Sequence, residues 1–95
     1  MLNLIWARTL LAVSAEREIL SAVLVDPNVM DTISSAITHE DFYYERHSLL
    51  FEVMAELHEH NKAIDPVTLP QALKDRGRWD KVGGLRAIGE LLERH

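Results

Sequence analysis

Cysteine is absent from the 95 residues. That excludes a disulfide framework, a thiol nucleophile and a thiolate metal site, and it fits a reducing cytoplasm. Glycine occurs four times, never in the GxxxxGK[ST] spacing whose backbone amides cradle phosphates. Gly83-Gly84 is too little to make such a loop, so no nucleoside triphosphatase site is present in this stretch. Positive charge is in the minority. Ten Lys and Arg against fifteen Asp and Glu leave a net charge of -5, which speaks against a surface devoted to neutralising phosphate. Bilayer-spanning runs of about 20 apolar residues are also missing. The N-terminal stretch LNLIWARTLLAV is too short and carries Arg8 in its middle. Val13-Ser14-Ala15 faintly resembles a signal-peptidase site. However, no basic residue precedes the apolar part, and Arg8 interrupts it, so a secretion signal is set aside.

What is present is a hydrophobic fraction of 47%, enough for a core in a single small domain. Its pattern has the helical period throughout. No segment alternates apolar and polar residues between turn signals, and there is no internal repeat. The expectation is an all-α fold, a small orthogonal bundle of about five main helices spanning residues 14–95. Residues 1–13 form an apolar N-terminal arm that packs on the domain or on a partner.

Ser14 to Val25 reads as the first helix, with Ser14 as cap and Glu16 and Glu18 near the positive end of the dipole. Ile19, Leu20, Val23 and Leu24 form its apolar face, with Ala15 and Ala22 allowing close approach. Asp26-Pro27 ends it, because a residue before proline is pushed out of the helical region. The same pair opens a second helix to about Ile37, with Met30, Ile33 and Ile37 inward and Val29 and Ala36 beside them.

The central element is Thr38 to Asn61. Thr38 and Asp41 have the spacing of a capping box, and Ile37 and Phe42 that of a hydrophobic staple. A break is expected near Tyr44 and Glu45. Beyond it His47, Leu50, Phe51, Met54, Leu57 and His58 share one face, while Glu52, Glu56 and Glu59 face water. Ile64 anchors the connector that follows. Thr68-Leu69-Pro70-Gln71 has the form of a second capping box, and Gly77 is placed to end that helix. Trp79 is expected to fold back onto the domain. Gly83-Gly84 opens a last helix with Leu85, Ile88, Leu91 and Leu92 on one face.

Candidate chemistry is thin. His58 and His60 lie two apart on a helix and point about 200° away from each other, so they cannot share one metal. His47 is expected at the core edge, its ring bonded to a neighbouring loop or carboxylate. For His39 and Asp41, capping explains the pattern better than acid-base catalysis. No catalytic, cofactor or metal residues are assigned. Lys74, Arg76, Arg78 and Lys81 read as a solvated helix end. On these residues the chain is a binding or scaffolding module.

Five short motifs, taken in order, resemble the N-terminal domain of bacterial replicative DNA helicases of the DnaB type. Glu16, Leu20, Asp26 and Pro27 fall in an opening E-x-x-(I/V)-L helix and its end. Thr38 precedes Asp41-Phe42-Tyr43, and His47 and Phe51 follow, similar to a DFY…H…(I/F) stretch. Asp65 and Thr68 lie in an (I/V)D-x-VT-(L/V) connector, and Gly77 with Gly83 and Gly84 resembles RG…VGGL. Tyr44, Glu45 and Ser48 depart from the residues common in that family, and residues 1–13 do not resemble its short polar lead. The resemblance implies a helical head without catalytic residues, since the family's hairpin, linker and RecA-like motor lie beyond it. It further implies other helicase subunits and primase as partners, no direct nucleic-acid contact, and a monomer or weak dimer in isolation. Two other binding modules fit the residues less well: the helicase-binding domain of a primase, and a helix-turn-helix DNA binder reading through Thr68 to Arg76.

Overall fold

A computed structural model describes residues 2–92, with side chains from residue 14 onward. Five α-helices follow one another: α1 (Leu2–Val25), α2 (Met30–Ala36), α3 (Glu45–Glu59), α4 (Thr68–Asp75) and α5 (Gly84–Leu92). Single 3₁₀ turns at Pro27–Val29 and His39–Asp41 precede α2 and α3. No strand occurs among the described residues. The all-α class and the five helices therefore stand.

Helix α3 is the centre, packing against α1, α2 and α4, while α5 lies against α1 and α4. It contributes Leu50, Phe51, Val53, Met54 and Leu57 to the core. Around them are Leu20 and Val23 of α1, Met30 of α2, Leu69 and Leu73 of α4, and Ile88 and Leu91 of α5. Ile64 and Val82 plug the core from the two connecting segments. At roughly 2 kcal/mol for each large apolar side chain removed from water, α3 supplies the largest share.

Several boundaries differ from expectation, each for a physical reason. Helix α1 begins at Leu2, so Ser14 lies inside it instead of capping it. Nothing in residues 2–13 is a glycine or proline that would interrupt the helix. How the expected 1–13 arm packs lies outside the described side chains. Asp26 does close α1 in an extended conformation, and its carboxylate accepts from the Asn28 amide at 3.2 Å. Pro27 then starts a 3₁₀ turn, and α2 proper begins only at Met30. Ile33 and Ile37 are half-buried at the core edge, whereas Ala36, Ala22 and Ala15 face solvent. The small residue that lets α5 approach α1 is Ser21, whose hydroxyl donates to the Leu91 carbonyl at 3.0 Å.

The Thr38–Asp41 capping box exists, with the Thr38 amide donating to Asp41 at 2.8 Å, but it closes a single 3₁₀ turn. Phe42 and Tyr44 are extended, and α3 starts at Glu45. At α4 the expected Thr68–Gln71 box is not formed. Asp65 does the capping, accepting from the Val67 amide at 2.8 Å and the Thr68 amide at 2.6 Å. Those amides, Thr68 first, hold the Asp65 carboxyl below the usual carboxylate range. Gly77 ends the α4 segment at φ +67°, where a side chain would be strained. The Arg78 amide reaches the Leu73 carbonyl at 2.8 Å, and the Gly77 amide the Lys74 carbonyl at 3.0 Å. In α5 only Ile88 and Leu91 of the expected face are inside; Leu85 is 75% exposed and Leu92 41%.

Candidate functional site

The most unusual chemistry in the molecule is a buried polar junction between α1 and α3. Glu16 is 7% exposed and His47 3%. Glu16 follows the inward register of Leu20 and Val23, four and seven residues on, so its side chain points at the start of α3. Tyr44 occupies the N-cap position of α3 but makes no side-chain cap. The Glu16 carboxylate reaches across from α1 to the two amides just ahead of that helix. It accepts a short bond from the Tyr43 amide and a longer one, 3.4 Å, from the Tyr44 amide. It also accepts from Nδ1 of His47 at 2.7 Å. A negative group at a helix N-terminus is favoured by the dipole, and three donors replace the lost water.

Aromatic rings seal the junction. The Tyr44 ring stands edge-on to His47 at 5.6 Å, and the Arg46 guanidinium lies 5.7 Å from the Tyr44 ring centre. Phe42 packs on Phe51 at 5.0 Å between ring centres. The structure thus gathers Glu16, Phe42, His47 and Phe51 in one place, with Leu20 in the core nearby. Asp26 and Pro27, Thr38 and Asp41, Asp65 and Thr68, Gly77, and Gly83 with Gly84 sit at five separate turns and do not converge. Gly84 lies at φ +60°, where a side chain would be strained, and a Cβ there would make only ordinary contact with the Trp79 indole. Trp79 itself folds back as expected, half-buried, with Lys74 Nζ 4.9 Å from its ring centre.

A second polar chain runs along the outside of α3. His39 Nδ1 lies 3.3 Å from Ser48 Oγ, and its Nε2 lies 3.3 Å from Glu52. Arg78 holds the other Glu52 oxygen, and Arg76 Nε meets Glu56 at 3.2 Å. Glu52 and Glu56 are therefore bridges to the segment after α4, where sequence spacing had them simply facing water. This brings a serine, a histidine and an acid into a row that spacing did not reveal. It has the parts of a nucleophilic site without its geometry. The Ser48 amide is used within α3, bonding the Tyr44 carbonyl at 2.9 Å, so it cannot serve as an oxyanion donor. The Glu52 charge is already spent on Arg78. The row is a tether between turn and helix.

His58 bonds Asp31 at 2.6 Å and His60 bonds the Glu56 carbonyl at 2.8 Å. No group of three metal-binding side chains forms among the described residues. Three of the four cations near α4 are directed onto the domain: Arg76 to Glu56, Arg78 to Glu52, Lys74 to Trp79, while Lys81 is exposed. No described helix is long and apolar enough to cross a membrane.

The role of Glu16 was the main feature that sequence spacing missed. The signal was available: a carboxylate in register with Leu20 and Val23 must find donors, and His47 needed an acceptor.

Comparison with known proteins places the chain in a family. Residues 9–95 match the family described as DnaB-like helicase N terminal domain. The chain is 36% identical over 77 residues to the replicative DNA helicase DnaB of Haemophilus influenzae, covering 81% of this chain and 16% of that one. Over 82 residues it is 30% identical to the Synechocystis sp. replicative DNA helicase DnaB, covering 86% and 9%. The Rhodothermus marinus replicative DNA helicase DnaB is 30% identical over 83 residues, with 87% and 9% covered. The chain thus spans less than a fifth of the length of these relatives. It belongs to the family of DnaB-like helicase N-terminal domains.

Proposed function

We propose that this domain is the non-catalytic, cytoplasmic head of a replicative DNA helicase, contributing to the collar of the hexamer and to recruitment of primase. The observation that carries this reading is the family match over residues 9–95, with relatives that are replicative helicases. The motif residues singled out in the sequence are spent on caps, turns and the Glu16–His47 junction. Work by such a domain falls to its surface. On this reading the chain has no nucleotide-driven activity of its own, because hydrolysis needs preorganised positive charge around the phosphates. The head alone is a monomer or weak dimer, and it binds primase weakly, since avidity from neighbouring subunits is lost.

The test is a calorimetric titration of a cognate primase C-terminal domain into two samples: this chain, and a hexameric full-length relative carrying it as its head. Weak heat with the first and tight binding with the second are expected. No binding to the hexamer would sink primase recruitment. ATP turnover by the chain alone would refute the non-catalytic reading.

A further inference from the structure

An open groove of about 280 Å³ runs between α2 and α3. Its floor is apolar, formed by the half-buried Ile37 and Ala55 above the buried Phe51 ring. One edge is a row of carboxylates on α3, Glu52, Glu56 and Glu59. Their spacing of four and three residues lines them up over about 10 Å, two turns of helix. The facing edge offers the hydroxyls of Ser34 and Thr38 and the His39 ring, and no Lys or Arg.

The carboxylates differ in what remains of their capacity. Both oxygens of Glu52 are taken, by Arg78 and His39. Arg76 takes one oxygen of Glu56. The other Glu56 oxygen and the exposed Glu59 carboxylate have no ion-pair partner among the described residues. The unspent negative charge therefore lies toward the α3 C-terminus, beside an apolar floor. Its chemical complement is an aliphatic side chain flanked, one turn away, by a cation.

We propose that this groove docks a short basic amphipathic helix of a protein partner. An aliphatic anchor rests on Ile37 and Ala55, and Lys or Arg one turn on meets Glu56 and Glu59. The contact is small, which makes it weak and transient. Being partly electrostatic at an exposed rim, it weakens with salt. It needs neither a hexamer nor primase, so its failure and that of the collar reading are separable.

The probe is a fluorescein-labelled two-turn helical peptide with leucine at the anchor and lysine at the flanking positions. A control peptide carries glutamate in place of each lysine. Both are titrated into the 95-residue chain by fluorescence anisotropy and by amide chemical shifts in ¹⁵N spectra. The basic peptide should bind and shift Thr38, Ala55 and Glu59. Glu59→Lys, an exposed change whose fold circular dichroism verifies, should weaken binding roughly fivefold. Equal binding of the acidic peptide, no effect of Glu59→Lys, or shifts clustered elsewhere would each overturn the proposal. So would concentration-dependent shifts of the same amides without peptide, which would make a second copy of the chain the occupant.

Discussion

Helix α3 is held by carboxylates on two sides, and the two sets differ in everything but chemical type. On the inner side Glu16 meets His47 and two backbone amides, and water is excluded from both side chains. On the outer side Glu52 and Glu56 meet Arg78 and Arg76, with all four side chains about one-third exposed. A charge removed from water is costly unless every partner is in place, and removing one partner strands the rest. A pair open to water loses little, because solvent replaces whatever is removed. The inner junction should therefore specify how α1 sits on α3, whereas the outer seam adjusts a surface already formed.

Glu16→Ala is the change that breaks this comparison most directly. It leaves the buried His47 ring nitrogen and the partly buried Tyr43 and Tyr44 amides without their acceptor. The expected loss is ~3–5 kcal/mol, since each donor left without its acceptor away from water costs about 1–3 kcal/mol. Phe51→Ala, a purely apolar deletion beneath the same junction, sets the scale at ~3–5 kcal/mol. Urea titrations of both give the answer. If Glu16→Ala costs under about 1 kcal/mol while Phe51→Ala costs the full amount, the junction is ornamental and packing alone seats α1. Hydrogen exchange sharpens the contrast, since Glu16→Ala should release Tyr43 and Tyr44 first.

Asp65 lies between the two extremes, a capping carboxylate near the surface. Replacing it with alanine should cost about 1 kcal/mol at neutral pH, as removal of a helix cap does. The folded-state pKa is depressed by amides that favour the ionised form. The ionised cap therefore stabilises the fold above the unfolded-state value of about 3.9, and this contribution is lost as pH falls through the lower folded-state value. The difference between wild type and Asp65→Ala should shrink on acidification below about pH 4. A difference that stays constant from neutral pH down to about pH 3 would show that the cap acts through geometry and not through charge.

The same contrast explains what could be read from sequence. Features set by local rules were legible: the αL position of Gly77, the Thr38–Asp41 box, the anchor Ile64 and the period of α3. Those are decided within a few residues by sterics and hydrogen-bond spacing. What was not legible was long-range. The Glu16 link to Tyr43 spans 27 positions, and the Glu52 link to Arg78 spans 26. Local rules even misled at Thr68, where a plausible box lost to Asp65, three residues earlier. Leu85 and Leu92 share an apolar stripe with Ile88 and Leu91, yet α1 and α4 cover only part of it.

The smallest expected effect is at the outer seam. A double-mutant cycle on Arg78→Ala and Glu52→Ala should return a coupling of about 0.2–1 kcal/mol, and the Arg76–Glu56 cycle about the same or less. The reasoning is that each long side chain loses rotamer freedom when it is held, while water screens what is gained. Glu52 has one extra constraint. His39 shares its carboxylate, so part of the Arg78 effect is expected to pass to the His39–Ser48 tether, placing the Glu52 coupling above that of Glu56. Added salt should reduce both couplings and leave the Glu16→Ala cost nearly unchanged, because exposed pairs are screened and buried ones far less so. If the outer couplings instead rival the Glu16 cost and resist salt, the seam is drier than its exposure indicates. The distinction between specifying junction and adjustable surface would then fail.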